Sequence, residues 1–185
     1  MKVFYGAENY NLGASVVALG TFDGVHAGHR ALIGRAMEIA RAEKLVCVVC
    51  TFDRHPMQTL CPERTPRQLM TLEEKLAAFA ELGADAAVVQ AFTREAAQTE
   101  AEAYLENLVC ALDARCVAAG FNYTFGAGGR GDAEMIRGEA ERLGIRAEIV
   151  EAVRDGNDVV SSTLIRRLIE TGEDARVERL IRGAG

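Results

Sequence analysis

The chain alternates between short apolar runs and longer stretches in which apolar residues recur at helical spacing. Five apolar runs predict buried strands, over residues 15–19, 45–52, 85–90, 115–119 and 146–150. The helical stretches cover residues 30–42, 99–112, 132–143 and 162–168. A further helix begins after Thr71, with Glu74 in position for a capping box, and ends at Gly83. Strands separated by helices in this order predict an α/β fold, a right-handed, doubly wound parallel sheet of about five strands with helices on both faces.

All the prolines of the chain, Pro56, Pro62 and Pro66, lie between the second predicted strand and the helix after Thr71. Proline fixes φ and removes a backbone donor, so this segment is predicted to be irregular. A stretch of about fifteen residues without helix or strand is long for a compact domain and is typical of a functional loop. We therefore expect a functional flap here.

Composition narrows the classes of protein that fit this pattern. With 185 residues, 49% of them hydrophobic and 26% charged, the chain is predicted to form a single domain over residues 1–185. It has no run near the roughly 18 apolar residues of a membrane-spanning helix, and no apolar core of a secretory signal. The net charge of −6 and the lack of a basic stripe argue against nucleic-acid binding. We expect a cytoplasmic protein without nucleic-acid or membrane partners, in which any anion site is local.

Five scattered cysteines are typical of reduced thiols rather than of a disulfide framework. Cys47 and Cys50 have the C-x-x-C spacing of redox and metal sites, but they lie inside an apolar run that predicts a strand. Successive side chains of a strand alternate between its two faces, so these thiols are expected to point in opposite directions. We predict neither a metal site nor a disulfide there.

A glycine-rich turn follows the first predicted strand and leads into a helix, with the sequence Gly20-Thr21-Phe22-Asp23-Gly24-Val25-His26-Ala27-Gly28-His29. Glycines let the backbone approach a ligand closely, and the free N–H groups of a first helical turn favour phosphate. His26 and His29 share one face of that helix, where both can donate to phosphate oxygens. The alternatives are capped or core histidines, or a metal pair, which would lack a third ligand at typical spacing. The turn is predicted to bind phosphate.

Two further segments have the composition of a ligand site. Residues 161–166, Ser-Ser-Thr-Leu-Ile-Arg, place hydroxyls at a helix start and add the planar donor fork of Arg166. Residues 120–132 combine glycines with aromatic residues that can pack a planar ring, and Asn122 supplies a donor and an acceptor without charge. Taken alone, the first segment is better explained as an ordinary Ser/Thr helix cap with surface arginines, and the alternative for the second is a common glycine-rich turn with two core aromatics.

The residues from Gly20 to His29, with their H-x-G-H core, resemble the signature of the nucleotidyltransferase superfamily. The longer form G-T-F-D-G-V-H-x-G-H is similar to the FMN adenylyltransferase (FAD synthetase) module of the bacterial bifunctional riboflavin kinase/FAD synthetase family. Residues 161–166 resemble the S-S-T-x-I-R segment of these enzymes, and residues 120–132 resemble their more flavin-specific G-x-[DN]-[FY]-x-F-G…G-D stretch. The resemblance implies a Rossmann-like nucleotidyltransferase fold over most of the chain.

The resemblance also implies which residues bind each substrate. Those expected to bind ATP are Gly20, Phe22, Asp23, Gly24, His26, Gly28, His29, Ser161, Ser162, Thr163 and Arg166. Those expected to bind FMN are Phe52, His55, Asn122, Tyr123, Phe125 and Asp132. The implied catalytic residues are His26, His29, Asn122, Thr163 and Arg166.

Other matches to the family pattern are weaker. Residues 51–56 resemble T-F-x-P-H-P, but Arg54 stands where proline is expected, and a loop-anchoring role for His55 is the alternative to flavin contact. Leu164 stands where an arginine is usual. The residues from Leu69 to Lys75 resemble the family's L-T-x-x-x-K helix start, which we interpret as packing.

The implied reaction is transfer of AMP from ATP to FMN, which gives FAD and pyrophosphate. The FMN phosphate is already an anion at neutral pH, so positioning and charge neutralisation suffice without a strong base. Mg²⁺ is expected on the ATP phosphates rather than in a protein site, and no obligate protein partner is predicted. The alternatives are another H-x-G-H nucleotidyltransferase with a different small phosphorylated acceptor, and a noncatalytic flavin- or nucleotide-binding module.

Proteins of this family continue into a carboxyl-terminal β-barrel that phosphorylates riboflavin. Too few residues follow Arg166 for such a barrel, so the riboflavin kinase domain is expected to be absent. We therefore expect no FMN from riboflavin and ATP when the pure protein is assayed by chromatography.

Overall fold

The fold is built on a six-stranded parallel sheet. In the computed structural model, which describes residues 1–182, its strands are β1 Lys2–Tyr5, β2 Ser15–Leu19, β3 Val46–Phe52, β4 Ala86–Gln90, β5 Ala114–Gly120 and β6 Arg146–Val150. Their order across the sheet is β1-β4-β3-β2-β5-β6, and every neighbouring pair is parallel. Residues 183–185, the end of the predicted domain, lie outside the described residues.

The chain changes direction across the sheet between β2 and β5. From β2 it proceeds to β3 and β4 on one side, and it then crosses to β5 and β6 on the other side. The loops that follow β2 and β5 therefore diverge and leave a crevice at the carboxyl edge of the sheet. Parallel sheets bind their ligands at such a crevice.

All five predicted strands are present, and the sheet contains one strand more than predicted. The unpredicted strand is β1, in which three of four residues are exposed, so it lacks an apolar pattern. Backbone hydrogen bonds hold it against β4, including those from Lys2 N–H to the Asp85 carbonyl (3.0 Å) and from Gly6 N–H to the Val89 carbonyl (2.9 Å). β1 is therefore an edge strand that forms through backbone pairing with β4 rather than through burial of its side chains.

Helices cover both faces of the sheet, as predicted. They are α1 Ala27–Glu43, α2 Pro56–Leu60, α3 Leu72–Leu82, α4 Ala101–Ala111, α5 Ala133–Leu143, α6 Ser162–Glu170 and α7 Asp174–Arg182. α1 and α3 pack on one face, and α4 and α5 pack on the other. Within residues 1–182, none of the helices has both the length and the apolar character needed to cross a bilayer.

The C-x-x-C pair confirms the predicted alternation of strand side chains. Cys47 belongs to the core beneath α1 and α3, whereas Cys50 belongs to the core beneath α4 and α5. Burial raises the pKa of each thiol to about 12. The two sulfurs therefore lie on opposite faces of the sheet and are protonated at neutral pH.

The predicted capping box at the start of α3 is confirmed. The Glu74 N–H donates to Thr71 Oγ1 (3.2 Å), and the Thr71 N–H donates to Glu74 Oε2 (2.7 Å). Gly83 ends the helix in the left-handed conformation, with φ of 90°. Both ends of α3 are therefore specified by local sequence.

The segment that contains the prolines is more regular than predicted. Pro56 begins α2, which His55 caps, and residues 62–64 form a 3₁₀ turn. Proline at the first position of a helix removes an N–H that has no partner there in any case, so it starts a helix instead of breaking one. Thr59 Oγ1 donates to the Phe92 carbonyl (2.8 Å), which holds the segment against the loop after β4.

A small third hydrophobic core is formed by residues within the 161–166 segment and on both sides of it along the chain. Strands β7 Arg154–Asp155 and β8 Asp158–Val159 form a hairpin, and α6 and α7 pack together beside it. Arg176 of α7 donates to Asp155 (2.6 Å) and to Asp158 (2.7 Å), so two ion pairs hold α7 against the hairpin. This arrangement fixes the point at which the chain enters α6.

The glycine-dense loop after β5 folds back on itself and packs against the start of α4. Phe125 and Gly131 exchange two backbone hydrogen bonds, of 3.0 and 2.9 Å. Gly126 has φ of +72°, and a Cβ placed there would lie 2.5 Å from the Cα of Ala101. The loop reaches its position because residue 126 has no side chain.

We predict that Gly126→Ala lowers the free energy of unfolding by about 2 kcal/mol or more, because alanine is strained at this φ and overlaps α4. Gly34→Ala is the matched control, since a Cβ at this α1 position meets nothing within 4 Å. That variant should gain about 0.5–1 kcal/mol from helix propensity. Urea unfolding measures both, and equal changes in the two variants would contradict the assigned role of Gly126.

Candidate active site

Two cavities open at the carboxyl ends of the strands. The polar cavity, of about 340 Å³, lies between the loops after β2 and β5 and the first turns of α1 and α6. The aromatic cavity, of about 740 Å³, lies beyond the ends of β3 and β4. Thr21, Tyr123 and Thr124 line both cavities. We call these three shared residues the junction.

The histidines expected to bind phosphate stand at the start of α1 and line the polar cavity. His26 is the N-cap, and its Nδ1 accepts a hydrogen bond from the His29 N–H at 3.4 Å. The two rings stack with their centroids 3.7 Å apart. Because Nδ1 of His26 is an acceptor, the proton of the neutral imidazole is on Nε2, which is left as a donor.

Burial lowers the pKa of both imidazoles. The pKa of His26 falls to about 4, and that of His29 falls well below its usual value, to which the nearby His26 and Lys75 also contribute. Both rings are therefore neutral near pH 7. A neutral imidazole still donates to a phosphate oxygen, and the charge in that hydrogen bond is then supplied by the phosphate.

Two residues expected to contact ATP lie beneath the turn and line neither cavity. Phe22 is fully buried with φ of 51°, and its ring meets those of His29 and Phe79 edge-on, at 5.2 and 5.3 Å. Gly24 has φ of +86°, and a Cβ there would lie 2.9 Å from the Leu69 side chain. Both residues shape the turn from below.

The Asp23 carboxylate is buried and connects three separate segments. Its Oδ1 accepts from the N–H groups of Leu69 (2.9 Å) and Met70 (3.3 Å), and its Oδ2 accepts from Arg166 of α6. Arg166 also donates from Nε to the Arg67 carbonyl (2.7 Å). The turn after β2, the segment before α3 and the start of α6 are therefore held together at one charged group.

The hydroxyls of the 161–166 segment lie at the start of α6. Ser161 Oγ caps the helix by accepting from the Leu164 N–H (3.2 Å), and Ser162 Oγ donates to the Asp23 carbonyl (2.8 Å). Thr163 lines the polar cavity. Leu164, which departs from the family pattern, packs into the small core of α6 and α7 with 6% of its surface exposed. At this position the chain uses a core residue.

Most of the predicted ATP residues are brought together by the fold. The polar cavity is lined by Gly20, Asp23, His26, Gly28, His29, Ser161, Ser162, Thr163 and Arg166. Three residues predicted for FMN, His55, Asn122 and the junction residue Tyr123, line it as well. Asn122 is exposed and lies two residues after the end of β5, next to Tyr123 of the junction.

The aromatic cavity contains the remaining predicted flavin contacts except one. Phe52, Tyr123 and Phe125 line it. Phe52 meets Phe92 edge-on at 5.0 Å, and Tyr123 stacks on Phe125 at 5.8 Å. Aromatic walls of this kind suit a planar ring. The exception is Asp132, which lines neither cavity because its carboxylate caps α5 by accepting from the Met135 N–H (2.9 Å).

His55 anchors its loop, the alternative considered from the sequence, and it lines the polar cavity rather than the aromatic one. Its Nδ1 accepts from the Met57 N–H (3.2 Å) and caps α2, while its ring lines the polar cavity. Burial lowers its pKa. Arg54, where proline was expected, pairs with the neighbouring Asp53 (2.9 Å). The Asp53 carboxylate also accepts from the Phe92 N–H (3.0 Å), which joins two lining residues of the aromatic cavity.

Lys75 is a buried cation that the sequence interpretation treated only as part of a packed helix. Its Nζ donates to the carbonyls of Thr21 and Phe52, each at 3.3 Å, and approaches Thr51 Oγ1 at 3.5 Å. Burial lowers its pKa, against the opposite effect of the Asp23 and Asp53 carboxylates. Lys75 thus joins the ends of β2 and β3 directly beneath the two cavities.

Two carboxylates line the polar cavity, those of Asp23 and Glu151. Asp23 is engaged by two backbone amides and Arg166, which leaves Glu151 as the carboxylate at this cavity without such partners among residues 1–182. Residues 1–182 contain no group of three or more His, Cys, Asp or Glu side chains placed to hold a metal ion. Hard cations need several oxygen ligands. The donor set fits an anion better than a cation.

Comparison with known proteins shows which family of proteins this chain resembles in sequence. The family model for FAD synthetase matches residues 8–164. A bifunctional riboflavin kinase/FMN adenylyltransferase of Listeria monocytogenes is 37% identical over 167 residues, and the match covers 90% of this chain and 53% of the relative. The Escherichia coli K12 protein of the same name is 30% identical over 185 residues, with 98% and 59% covered. A Geobacillus thermodenitrificans relative named for the same two activities is 38% identical over 173 residues, with 94% and 92% covered.

The chain therefore spans between half and three fifths of the Listeria and Escherichia relatives and nearly all of the Geobacillus relative. Among solved structures, a Streptococcus pneumoniae protein described as a macrolide-efflux protein superposes with a TM-score of 0.87 at 28% identity, covering 99% of this chain and 60% of that one. A pantoate-β-alanine ligase from Francisella tularensis superposes at 0.60 with 14% identity, covering 100% and 80%. The second likeness supports the fold alone.

The neutral histidines predict a loss of stability in mild acid. An unfolded chain binds a proton on His26 near pH 6.5, whereas the native chain binds it only near pH 4, so stability falls as the pH drops through this window. We expect His26→Asn, which retains a capping side chain, to lose roughly 2–3 kcal/mol less than the native protein between pH 7 and 4.5. Urea unfolding at both pH values measures the difference, and parallel losses in the two proteins would contradict the buried neutral state.

Proposed function

The chain belongs to the FAD synthetase family, and from that premise we propose that it is an FMN adenylyltransferase, which transfers AMP from ATP to FMN and releases pyrophosphate. The observation that carries the proposal is the junction. An anion-binding cavity and an aromatic cavity share Thr21, Tyr123 and Thr124. A substrate with a planar ring in one cavity therefore places its phosphate next to a nucleotide in the other.

The aromatic cavity supports binding of the flavin ring and disfavours its phosphate. Phe52, Tyr123 and Phe125 offer ring faces and edges, while the charged residues that line the cavity are Glu8 and Asp53. Two acidic groups repel a phosphate from this cavity. We propose that the isoalloxazine ring occupies it and that the FMN phosphate extends to the junction, toward Asn122.

The polar cavity supports binding of the ATP phosphates. The first turns of α1 and α6 both end at this cavity, and such turns present free N–H groups and a partial positive charge. His26 and His29 add imidazole donors from one side, and Thr163 and Arg166 add a hydroxyl and a guanidinium from the other. The first turns of the two helices therefore face the same cavity.

The proposed reaction needs little covalent assistance from the protein. An oxygen of the FMN phosphate attacks the α-phosphorus of ATP, the bond from that phosphorus to the bridging oxygen breaks, and pyrophosphate leaves with the electron pair. Because the nucleophile is already an anion, no residue has to remove a proton. We propose that His29, Thr163 and Arg166 stabilise the charge that develops, and that Asn122 orients the reacting phosphates.

The proposal treats Mg²⁺ as part of the substrate, bound to the ATP phosphates, and it is supported by the lack of a cluster of three or more His, Cys, Asp or Glu side chains within residues 1–182. It also places the protein in the cytoplasm, without an obligate protein partner. The five cysteines, all unpaired in the structure, are typical of a reducing compartment and support that location.

We predict that the pure protein converts FMN and ATP into FAD and pyrophosphate in the presence of Mg²⁺. His29→Ala should lower turnover roughly 10²–10³-fold, because it removes a donor to the charged transition state. The affinity for FMN should change by no more than about twofold, since the aromatic cavity is untouched. Chromatography measures FAD formation, and quenching of flavin fluorescence measures binding.

Parallel tubes with riboflavin and with other small phosphorylated acceptors serve as controls. Flavin binding without turnover would favour a noncatalytic module, and turnover of a different acceptor in place of FMN would favour another nucleotidyltransferase. Full turnover in the His29→Ala variant would contradict the role assigned to this residue.

Arg166 and Arg167 form a matched pair for a second test. Arg166 binds Asp23 inside the site, whereas Arg167 is exposed and pairs with Asp158 on the surface (3.2 Å). Arg166→Lys keeps the positive charge beside Asp23 but removes the planar donor fork, so kcat/KM for ATP should fall roughly 10–100-fold. Arg167→Lys should leave kcat/KM within about twofold. Steady-state kinetics decide the matter, and similar losses in both variants would refute the assignment.

A further inference from the structure

Gln90 brings an amide group into the aromatic cavity. It is the last residue of β4 and lines the cavity wall. Its Oε1 accepts a hydrogen bond from the Tyr104 hydroxyl at 3.2 Å, while its Nε2 has no hydrogen-bond partner among residues 1–182. An amide donor without a partner at the wall of a ligand cavity is available to a ligand.

Tyr104 fixes the orientation of this amide. Its ring lies on α4 and packs against Phe125, with centroids 5.9 Å apart. A phenol carries one proton, and Tyr104 donates it to Gln90. The oxygen and nitrogen of a carboxamide diverge from one trigonal carbon, so the bond to Oε1 points Nε2 away from the Tyr104 hydroxyl.

The other side-chain donors around the cavity are hydroxyl groups of threonine and tyrosine residues. Among the lining residues, Gln90 alone carries a side-chain N–H group. The acidic residues of the wall, Glu8 and Asp53, are acceptors and are already engaged, Glu8 by Asn9 and Asp53 by Arg54 and the Phe92 N–H. A hydrogen-bond acceptor of a ligand that lies beside the end of β4 would therefore meet the side-chain N–H group of Gln90.

We propose that Gln90 is a specificity-determining residue for flavin, whose Nε2 donates to a carbonyl oxygen on the pyrimidine edge of the isoalloxazine ring. This rests on the proposed function, because it takes the aromatic cavity as the flavin site. The pyrimidine edge of the ring bears carbonyl oxygens and the dimethylbenzene edge bears none. The contact therefore turns the pyrimidine edge toward β4.

The test measures binding of lumiflavin, which has the flavin ring without the ribityl phosphate, by quenching of its fluorescence. Gln90→Leu removes the donor at similar size. Gln90→Glu keeps an acceptor for Tyr104 but replaces the donor with an oxygen that repels the ring carbonyl. We expect the affinity for lumiflavin to fall roughly 10-fold in the first variant and further in the second. The affinity for ATP should be unchanged in both.

Two further variants separate this contact from general effects. Gln98→Glu introduces the same charge at an exposed position between cavity-lining residues, and it should leave the affinity for lumiflavin unchanged. Tyr104→Phe leaves the Gln90 amide in place but removes the hydrogen bond that orients it. The affinity of this variant for lumiflavin should therefore fall by a smaller factor, roughly 2–5-fold. Circular dichroism checks that each variant is folded, and Gln90→Glu, which matches glutamine in shape, decides the matter if Gln90→Leu is unfolded.

Unchanged lumiflavin affinity in folded Gln90→Leu or Gln90→Glu would overturn the assignment, and so would an equal loss in Gln98→Glu. The assignment and the proposed function fail in distinguishable ways. If the native protein makes FAD and the Gln90 variants bind lumiflavin normally, only the role assigned to Gln90 is contradicted. If the native protein neither binds lumiflavin nor makes FAD, both the role of Gln90 and the proposed function are contradicted.

Discussion

The buried carboxylate of Asp23 is the interaction on which the site depends. A carboxylate inside a protein is costly unless every oxygen is hydrogen-bonded. Here the amides of Leu69 and Met70 satisfy one oxygen and Arg166 satisfies the other, while Ser162 binds the backbone of the same residue. Segments that are far apart in the sequence are thus fixed at one point. The positions of the α1 histidines and the α6 hydroxyls relative to each other follow from it.

The regular elements were predictable where burial alone shapes the sequence. Strands such as β2, whose five residues are all buried, leave an apolar run that can be read directly. β1 leaves no such run, because its one sheet neighbour supplies hydrogen bonds and most of its side chains face solvent. The helix that begins at Pro56 was missed for a different reason. The same residue type starts helices and interrupts them, and only the neighbouring cap, His55, separates the two cases.

The site was predictable as a set of segments but not as a set of contacts. Motif spacing identified His26, His29 and Arg166, because short-range sequence sets their place at a helix start. The same spacing cannot separate a residue that faces the ligand from one that supports the turn, as Phe22 shows. The helix of Lys75 was interpreted as packing because its apolar positions suffice to explain it, and the partners of Lys75 are backbone carbonyls of distant segments, which leave no signal in the sequence. Gln90 lacks any local signal, since Tyr104 of a different element orients it.

The junction has a consequence for what happens after the chemical step. The proposed reaction joins the contents of two cavities into one molecule, which then spans Thr21, Tyr123 and Thr124 and is held at both ends. When one end dissociates, the other keeps it at high effective concentration, so rebinding competes with escape. Departure of such a product is slow unless a wall moves, and slow departure rather than bond formation would then limit turnover. The segment that carries α2 borders both cavities, through Pro56 on one and His55 on the other.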